Sequence, residues 1–511
     1  MAVLHSSLIG GSKRHTRPPL VVLGLLAVLL AGGCASGGGE YLDLEGYDPE
    51  DLEPFRALWV EDELSEHPEL AGRTVYHLAF EIGETGELIR AEARIRFTNR
   101  DAAPIREIPF FLYPNLTPGG LEVFLLQVDG REVKPLLADR RSRLVVRLPQ
   151  MLEAEHSVSV RMGYELTVPV SERGEYGGFG ISGNVLSLAY AYPMIPAREG
   201  WEHPLPVPYG DFVFNDASFY LVQVTMPQRM ILAAPGVELG RREAEGRREV
   251  VFAMGPARDL YLALSPEFEV HSERIGETLV RSFAAREVEA GSRSALAAAT
   301  AALSGFTQRF EPYPYTTFTV VSVPLSALGL EFPGIIIDAR RLYVPGRDYG
   351  GVPAPVLLEA TTAHEVAHQW FYGAVGNDQL LEPWLDEALA QYATWLYYKD
   401  RYGESGARGF FESWYGRWDR VGRVEIPIGK PVGSYTPGQY GAIVYGRGPL
   451  FIKALSEQMG REVFAEFLRE YTRRFEWGRV DTPAFQAAAE TACGCRLEQL
   501  FAHWVGAEQT E

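Results

Sequence analysis

Thr361-Thr362-Ala363-His364-Glu365-Val366-Ala367-His368-Gln369-Trp370 carries the densest chemistry in this chain of 511 residues. The spacing is His-Glu-x-x-His. On a helix, residues four apart share a face, one turn from each other. His364 and His368 therefore aim two imidazoles at one point. Zinc favours imidazole nitrogen and closes tetrahedrally on a third protein ligand and a water. Glu365 follows the first histidine and stands where it can take a proton from that water and later deliver it to a leaving amine. Leu357, Leu358, Val366, Trp370 and Phe371 surround the motif, so this helix is packed. Packed histidines and a packed glutamate need partners. The alternative is a helix that shows two histidines and a glutamate to solvent.

A third ligand should follow on a second helix. Pro383-Trp384-Leu385-Asp386-Glu387-Ala388-Leu389-Ala390-Gln391-Tyr392 opens an apolar-faced helix, and eighteen residues separate His368 from Glu387. That gap suits a helix end, a loop and the first turns of a returning helix. Glu387 can also be read as a first-turn acid complementing the helix dipole, a job open equally to Asp386.

Outward from this pair the chain changes character twice. From Pro355 onward it reads as nearly all helix: Pro355–Tyr372, Pro383–Tyr402, Gly409–Trp418, Gly441–Met459, Glu462–Phe475, Thr482–Ala492 and Leu497–Val505. Before it lies a mixed stretch, with an Ala-rich helix at Arg293–Phe310 and strands at Thr317–Val323 and Gly334–Ile337. Between Thr74 and Pro266 the signals are β. Ala91 to Thr98 and Val158 to Val168 alternate apolar with polar or small residues, and Ser218–Met226, Glu249–Met254 and Leu260–Leu264 also read as strands. Turn residues separate them and no strong helix intervenes, the pattern of an antiparallel sandwich.

Composition narrows the class. Hydrophobic residues make up 46% and charged residues 23%, which excludes a disordered chain and a polytopic membrane protein. A net charge of −19 repels phosphate backbones and argues against nucleic acid as a partner. Three cysteines, Cys34, Cys493 and Cys495, exclude a disulfide scaffold. Cys493-Gly494-Cys495 reads as a turn between the last two helices, since a bridge across one glycine would be tight. The N-terminus reads as an export signal. Lys13, Arg14 and Arg17 precede the apolar run Leu20–Leu30, which is too short to span a bilayer. Ala31-Gly32-Gly33-Cys34 looks like a bacterial lipobox, with Ala31 where a large aliphatic residue is usual. Cys34 would then carry a lipid anchor, with the membrane as partner and Gly37-Gly38-Gly39 as a short tether. An ordinary signal peptide or an uncleaved anchor is the alternative.

The joint pattern His364-Glu365-Val366-Ala367-His368-Gln369-Trp370, eighteen residues, Trp384-Leu385-Asp386-Glu387 resembles the gluzincins of the membrane alanyl aminopeptidase family. It is far more specific than either half. Val375-Gly376-Asn377-Asp378, Tyr192-Pro193-Met194 and Gly210-Asp211 are similar to bacterial members, and the resemblance spans roughly residues 74–508. It implies that His364, His368 and Glu387 hold one Zn2+ and that Glu365 is the general base. Tyr445, in Ile443-Val444-Tyr445-Gly446-Arg447-Gly448, falls where the family's oxyanion-binding tyrosine stands, with Arg447 in place of a lysine and Tyr440 as the lesser alternative. Gly329-Leu330-Glu331-Phe332-Pro333-Gly334 resembles the segment that binds the substrate and, through its glutamate, the free α-amine. Leu328, Leu330 and Phe332 depart from that pattern, and the glutamine that helps bind the amine has no secure counterpart.

The expected architecture is α+β and multidomain. A signal peptide (1–33) and an N-terminal extension (34–73) lead into an antiparallel β-sandwich (74–266). A thermolysin-like zinc catalytic domain (267–459) and a short helical C-terminus (460–511) follow. The expected function is zinc-dependent peptide hydrolysis at the cell envelope, with a peptide or protein substrate and an aminopeptidase first. An endopeptidase, another hydrolase on the same site, and a non-catalytic binding or scaffold protein are the alternatives.

Overall fold

The computed structural model describes Leu44, Asp48 and residues 51–506 apart from 173. Cys34, the Leu20–Leu30 run and the glycine tether lie outside the described residues.

The β region is built around an eight-stranded sheet. In spatial order its strands are Val237–Ala244, Arg247–Ala257, Ser218–Pro227, Val75–Ile82, Leu88–Thr98, Ser157–Thr167, Gly120–Val128 and Arg131–Glu132. The alternation read at Ala91 to Thr98 is there in the burial: Ala91, Ala93 and Ile95 point into the core. The expected purely antiparallel sandwich is corrected at the centre. Val75–Ile82 and Ser218–Pro227 run parallel, with Val75 opposite Phe219 and Glu81 opposite Thr225. Alternation fixes which face of a strand is buried, not the direction of its neighbour. A three-stranded sheet (Ile105–Phe111, Arg143–Leu152, Leu136–Ala138) and a four-stranded one (Ile231–Ala233, Tyr261–Ser265, Val185–Ala189, Phe179–Ser182) complete this part.

A mixed five-stranded sheet begins at Phe268. Its order is Phe268–Ile275, Thr278–Ala285, Thr317–Val323, Ile335–Ala339 and Gly329–Phe332. The middle three run parallel, and Gly329–Phe332 is an antiparallel edge strand. The Ala-rich helix Glu289–Arg309 connects Thr278–Ala285 to Thr317–Val323, and the metal helix Ala354–Ala367 follows the sheet in sequence. Buried hydrogen bonds fix this helix to the sheet. Asp338, in the strand beside the edge, accepts from Thr362 Oγ1 at 2.8 Å and Tyr343 OH at 3.2 Å. Gln369 clamps the edge hairpin, accepting from Gly334 N at 2.8 Å and donating to Phe332 O at 3.1 Å.

Three helical expectations are corrected. The metal helix stops at Ala367, not Tyr372. His368 caps it, and a turn closed by a bridge between Phe371 and Val375 follows. The fully buried Arg258 secures that turn, donating to the carbonyls of Tyr372 at 2.6 Å and Ala374 at 3.0 Å. The helices expected at Pro383–Tyr402 and Gly409–Trp418 are one long element, Trp384–Asp419, bent at Gly403 with φ 67° and ψ −162°. The helix expected at Gly441–Met459 begins earlier, at Pro437, where Thr436 and Gln439 form a capping box. It passes through a π-helical turn, Ile443–Arg447, before continuing as Gly448–Met459. The turn expected at Cys493-Gly494-Cys495 contains a disulfide between the two cysteines. Gly494 adopts φ 59°, which turns the chain sharply enough to bring the two Cα atoms to 5.1 Å, inside disulfide range.

The N-terminal extension is packed where it is described. Trp59 Nε1 donates to Gly255 O at 2.7 Å, and Trp477 Nε1 donates to Glu63 Oε2 at 2.9 Å.

Candidate metal centre and active cleft

His364 and His368 stand one turn apart at the end of the metal helix, and Glu387 reaches them from the first turn of the long helix. One ligand atom of each lies within 4.8 Å of the others. The separations are His364 Nε2 to Glu387 Oε2 3.0 Å, His368 Nε2 to His364 Nε2 3.3 Å, and His368 Nε2 to Glu387 Oε2 3.6 Å. Tetrahedral zinc with bonds of ~2.0–2.1 Å holds its ligands ~3.3 Å apart. The triad is thus set for a zinc ion.

The groups behind the ligands agree. His368 Nδ1 meets Phe371 O at 3.0 Å, so its Nε2 carries the free lone pair. Gln391 Nε2 lies 3.3 Å from His364 Nδ1, while Gln391 Oε1 is buried without a partner. Turning that amide over presents Oε1 to an Nδ1–H and frees His364 Nε2 for a metal. Tyr445 OH donates to Glu387 Oε1 from the π-helical turn, a distortion frequent at functional sites.

The electrostatics of these groups suit a divalent cation. Burial, then the charge of Glu331, holds the Glu365 carboxyl well above the usual range. Burial also raises Glu331, and burial together with Glu387 pushes Asp386 up to about 7. Glu387 goes the other way: although burial opposes its charge, the hydrogen bonds from His364 and His368 hold it low. Burial likewise opposes charge on His368, but Glu331 and the bond to Glu387 outweigh it and hold the ring well above its ordinary value. Four buried acids with two imidazoles are relieved by a divalent ion among them.

Above the triad opens a cavity of about 390 Å³. The fold brings Gly329, Glu331, His364, Glu365, Glu387 and Tyr445 together on its wall. Gly329 presses on the Glu365 carboxylate: a Cβ there would lie 2.4 Å from Oε1. Glu331 accepts from Gln379 Nε2 at 2.8 Å, and the same amide donates to Asp386 Oδ2 at 2.8 Å. Of the departures from the family pattern, Phe332 faces the core between Tyr190 and Tyr261, and Leu330 lines the cleft. Arg447 leaves the cleft entirely. Its guanidinium binds the carbonyls of Ile426, His503 and Trp504, so the charge anchors the helix Glu498–Trp504. Tyr440 OH is buried without a hydrogen-bond partner, whereas Tyr445 OH touches a ligand of the triad.

Sequence reasoning missed several residues of this cleft. Tyr176, Tyr209 and Asp211 enter it from the β region, and Arg417 from the far arm of the long helix. Gly210-Asp211 had been noticed as a segment, but nothing local signals that Asp211 faces Glu331 and Glu387.

Residues 294–504 match the Peptidase family M1 domain. Aminopeptidase M1-A of Oryza sativa subsp. japonica is 24% identical over 242 residues, 44% of this chain and 26% of the rice protein. Probable aminopeptidase 1 of Saccharolobus solfataricus is 22% identical over 402 residues, 75% of this chain and 48% of that protein. The chain therefore spans less than half the length of these curated relatives. The M1 zinc metallopeptidase from Deinococcus radiodurans has the same fold, with TM-score 0.63 at 22% identity over 86% of this chain and 93% of that one. A mutant of it bound to a Tyr-Ser-Ala substrate gives TM-score 0.62 at 23% identity, over 86% of this chain and 94% of that one. His364, His368 and Glu387 are placed as a zinc triad would be on this fold. Residues 294–504 thus carry an M1-type peptidase domain, in a chain whose fold is that of the M1 zinc metallopeptidase.

Proposed function

We propose that this chain is a zinc-dependent peptidase that removes residues from the free N-terminus of peptides. The observation that carries the reading is the convergence of His364, His368 and Glu387 at 3.0, 3.3 and 3.6 Å beside Glu365 and Glu331 in one cavity. Zinc, when bound, supplies a Lewis acid that acidifies water and polarises a carbonyl.

The chain's own residues divide the remaining work. Glu365, held against Gly329, accepts the proton of the attacking water and delivers it to the leaving amine; its raised affinity for a proton suits both transfers. Tyr445 OH turns from Glu387 toward the developing oxyanion and donates to it. Glu331, oriented by Gln379, pairs with the substrate's α-ammonium, and Asp211 stands next to it where the family's glutamine has no counterpart. The edge strand Gly329–Phe332 can lend backbone groups to an extended peptide.

The test compares peptides with free and acetylated N-termini. A charge-assisted pair is worth roughly 1.5–3 kcal/mol, so Glu331→Ala should lower kcat/KM about ten- to a hundredfold on free-amine peptides. Acetylated peptides should be poor substrates and suffer no further loss. Equal cleavage of both, unchanged by Glu331→Ala, would sink the aminopeptidase reading and leave an endopeptidase.

Export with a lipid on Cys34 rests on the N-terminal residues alone. Cys34→Ser should abolish lipid labelling and membrane retention; retention of the variant would refute the anchor.

A further inference from the structure

Charges in the cleft are sorted by the element that supplies them. The acids come from Asp211, from the edge strand through Glu331, from the metal helix through Glu365 and from the first arm of the long helix through Glu387, and Asp211 lies in the field of Glu331 and Glu387. The bases come from the second arm, beyond the bend at Gly403: Arg417 and Arg420, three residues apart, both line the cavity. Such spacing puts two side chains on one helix face, about 5–6 Å apart at Cβ.

Neither arginine is used by the fold in the ordinary way. Arg417 Nη1 donates to Tyr445 O at 3.1 Å, which fixes the guanidinium beside the tyrosine that touches Glu387. Among the described residues neither Arg417 nor Arg420 has an ion-pair partner. The acid available on that arm, Asp419, pairs instead with Arg423, at 3.2 Å from Nη2 to Oδ2. Arg420 is exposed and makes no side-chain hydrogen bond among the described residues. Two guanidinium groups without an anion, at the wall of a cavity whose other charges are acidic, form a fork suited to a carboxylate.

We propose that Arg417 and Arg420 form a carboxylate subsite on the leaving-group side, so that the cleft selects short peptides by their free C-terminus. This rests on the peptidase reading above. A short peptide carries one ammonium and one carboxylate, and the cleft offers acids for the first and arginines for the second. An extended residue advances about 3.3 Å, so a tripeptide holds its ammonium and its carboxylate roughly 10 Å apart. An aspartate or glutamate side chain has the same chemistry as the C-terminus, and the assay separates the two.

The experiment uses the zinc-loaded full chain carrying Glu365→Gln, which should bind peptide without turning it over. Three tripeptides are titrated by calorimetry: a free acid, its C-terminal amide, and an amide whose last residue is aspartate. The free acid should bind about ten- to a hundredfold more tightly than its amide. Adding Arg420→Ala should bring that ratio toward one, and Arg420→Lys should restore part of it. Equal binding of acid and amide, or a preference that survives Arg420→Ala, would overturn the subsite. Aspartate amide binding as well as the free acid would overturn the C-terminal assignment. Hydrolysis of the same free-acid peptide by the unmodified chain tests the peptidase reading separately, since the binding ratio does not depend on turnover.

Discussion

Replacing Gly329 by alanine places a methyl carbon 2.4 Å from Glu365 Oε1 and 2.8 Å from its Cδ and Cγ. Ordinary contact begins near 3.4 Å, so something must yield by about 1 Å. The strand cannot yield easily. Gly329 is paired with Asp338, and Ala339 N donates to Leu328 O at 2.8 Å. The glutamate side chain therefore moves. A displacement of about 1 Å at a reacting group costs about 10²-fold, and losing a general base outright costs about 10²–10⁴-fold. Gly329→Ala should thus lower kcat about 10²-fold, between the unmodified chain and Glu365→Gln. The three atoms nearest the added methyl all belong to Glu365, so zinc content should stay near one per chain. Overpacking should cost about 1–3 kcal/mol of stability. The assay is steady-state turnover of a free-amine tripeptide, with metal analysis and thermal unfolding on the same preparation. A folded, zinc-replete Gly329→Ala chain with kcat within threefold of the unmodified one would refute the placement of Glu365 as base.

His368→Ala removes a buried ligand and should leave the purified chain with far less than one zinc; equal zinc by metal analysis would contradict the triad. Tyr445→Phe should retain zinc and lose about 10²–10³-fold in kcat, the range for one oxyanion donor; unchanged turnover would transfer that role to Tyr440. His67 is raised to about 9 chiefly by its bond to Glu476, at 3.3 Å. A raised histidine contributes stability that is complete below its ordinary value of 6.5 and is lost as pH climbs through 9. The fall in Tm between those limits should therefore be shallower in Glu476→Gln, and an identical fall would show that the pair contributes nothing.

The clustering of His364, His368 and Glu387 was legible because its information is local. His364 and His368 share one helical face, and Glu387 follows at a distance one loop can span. The strands were legible for the same reason, since period-two burial needs only one buried face. What stayed hidden depends on contacts between distant segments. The parallel pairing of Val75–Ile82 with Ser218–Pro227 joins strands with more than a hundred residues between them. Asp211 meets Glu331 and Glu387 across similar gaps. Gly403 reads in sequence as a helix end, but its left-handed backbone bends the element and returns Arg417 to Tyr445. The capping box at Thr436 and Gln439 was readable, and it would have placed the start of the Tyr445 helix correctly. Arg447 shows the opposite error. A charge kept at a family position is here turned to the carbonyls of the C-terminal helix.

The central claim is that His364, His368 and Glu387 hold a zinc ion on which peptide hydrolysis depends. The most direct measurement is turnover of a free-amine tripeptide by the purified chain before chelation, after it, and after zinc is returned. Activity should be lost with the metal and recover as zinc approaches one per chain. Turnover that persists in the metal-free protein, or a fully zinc-loaded chain that cleaves no peptide, would contradict it.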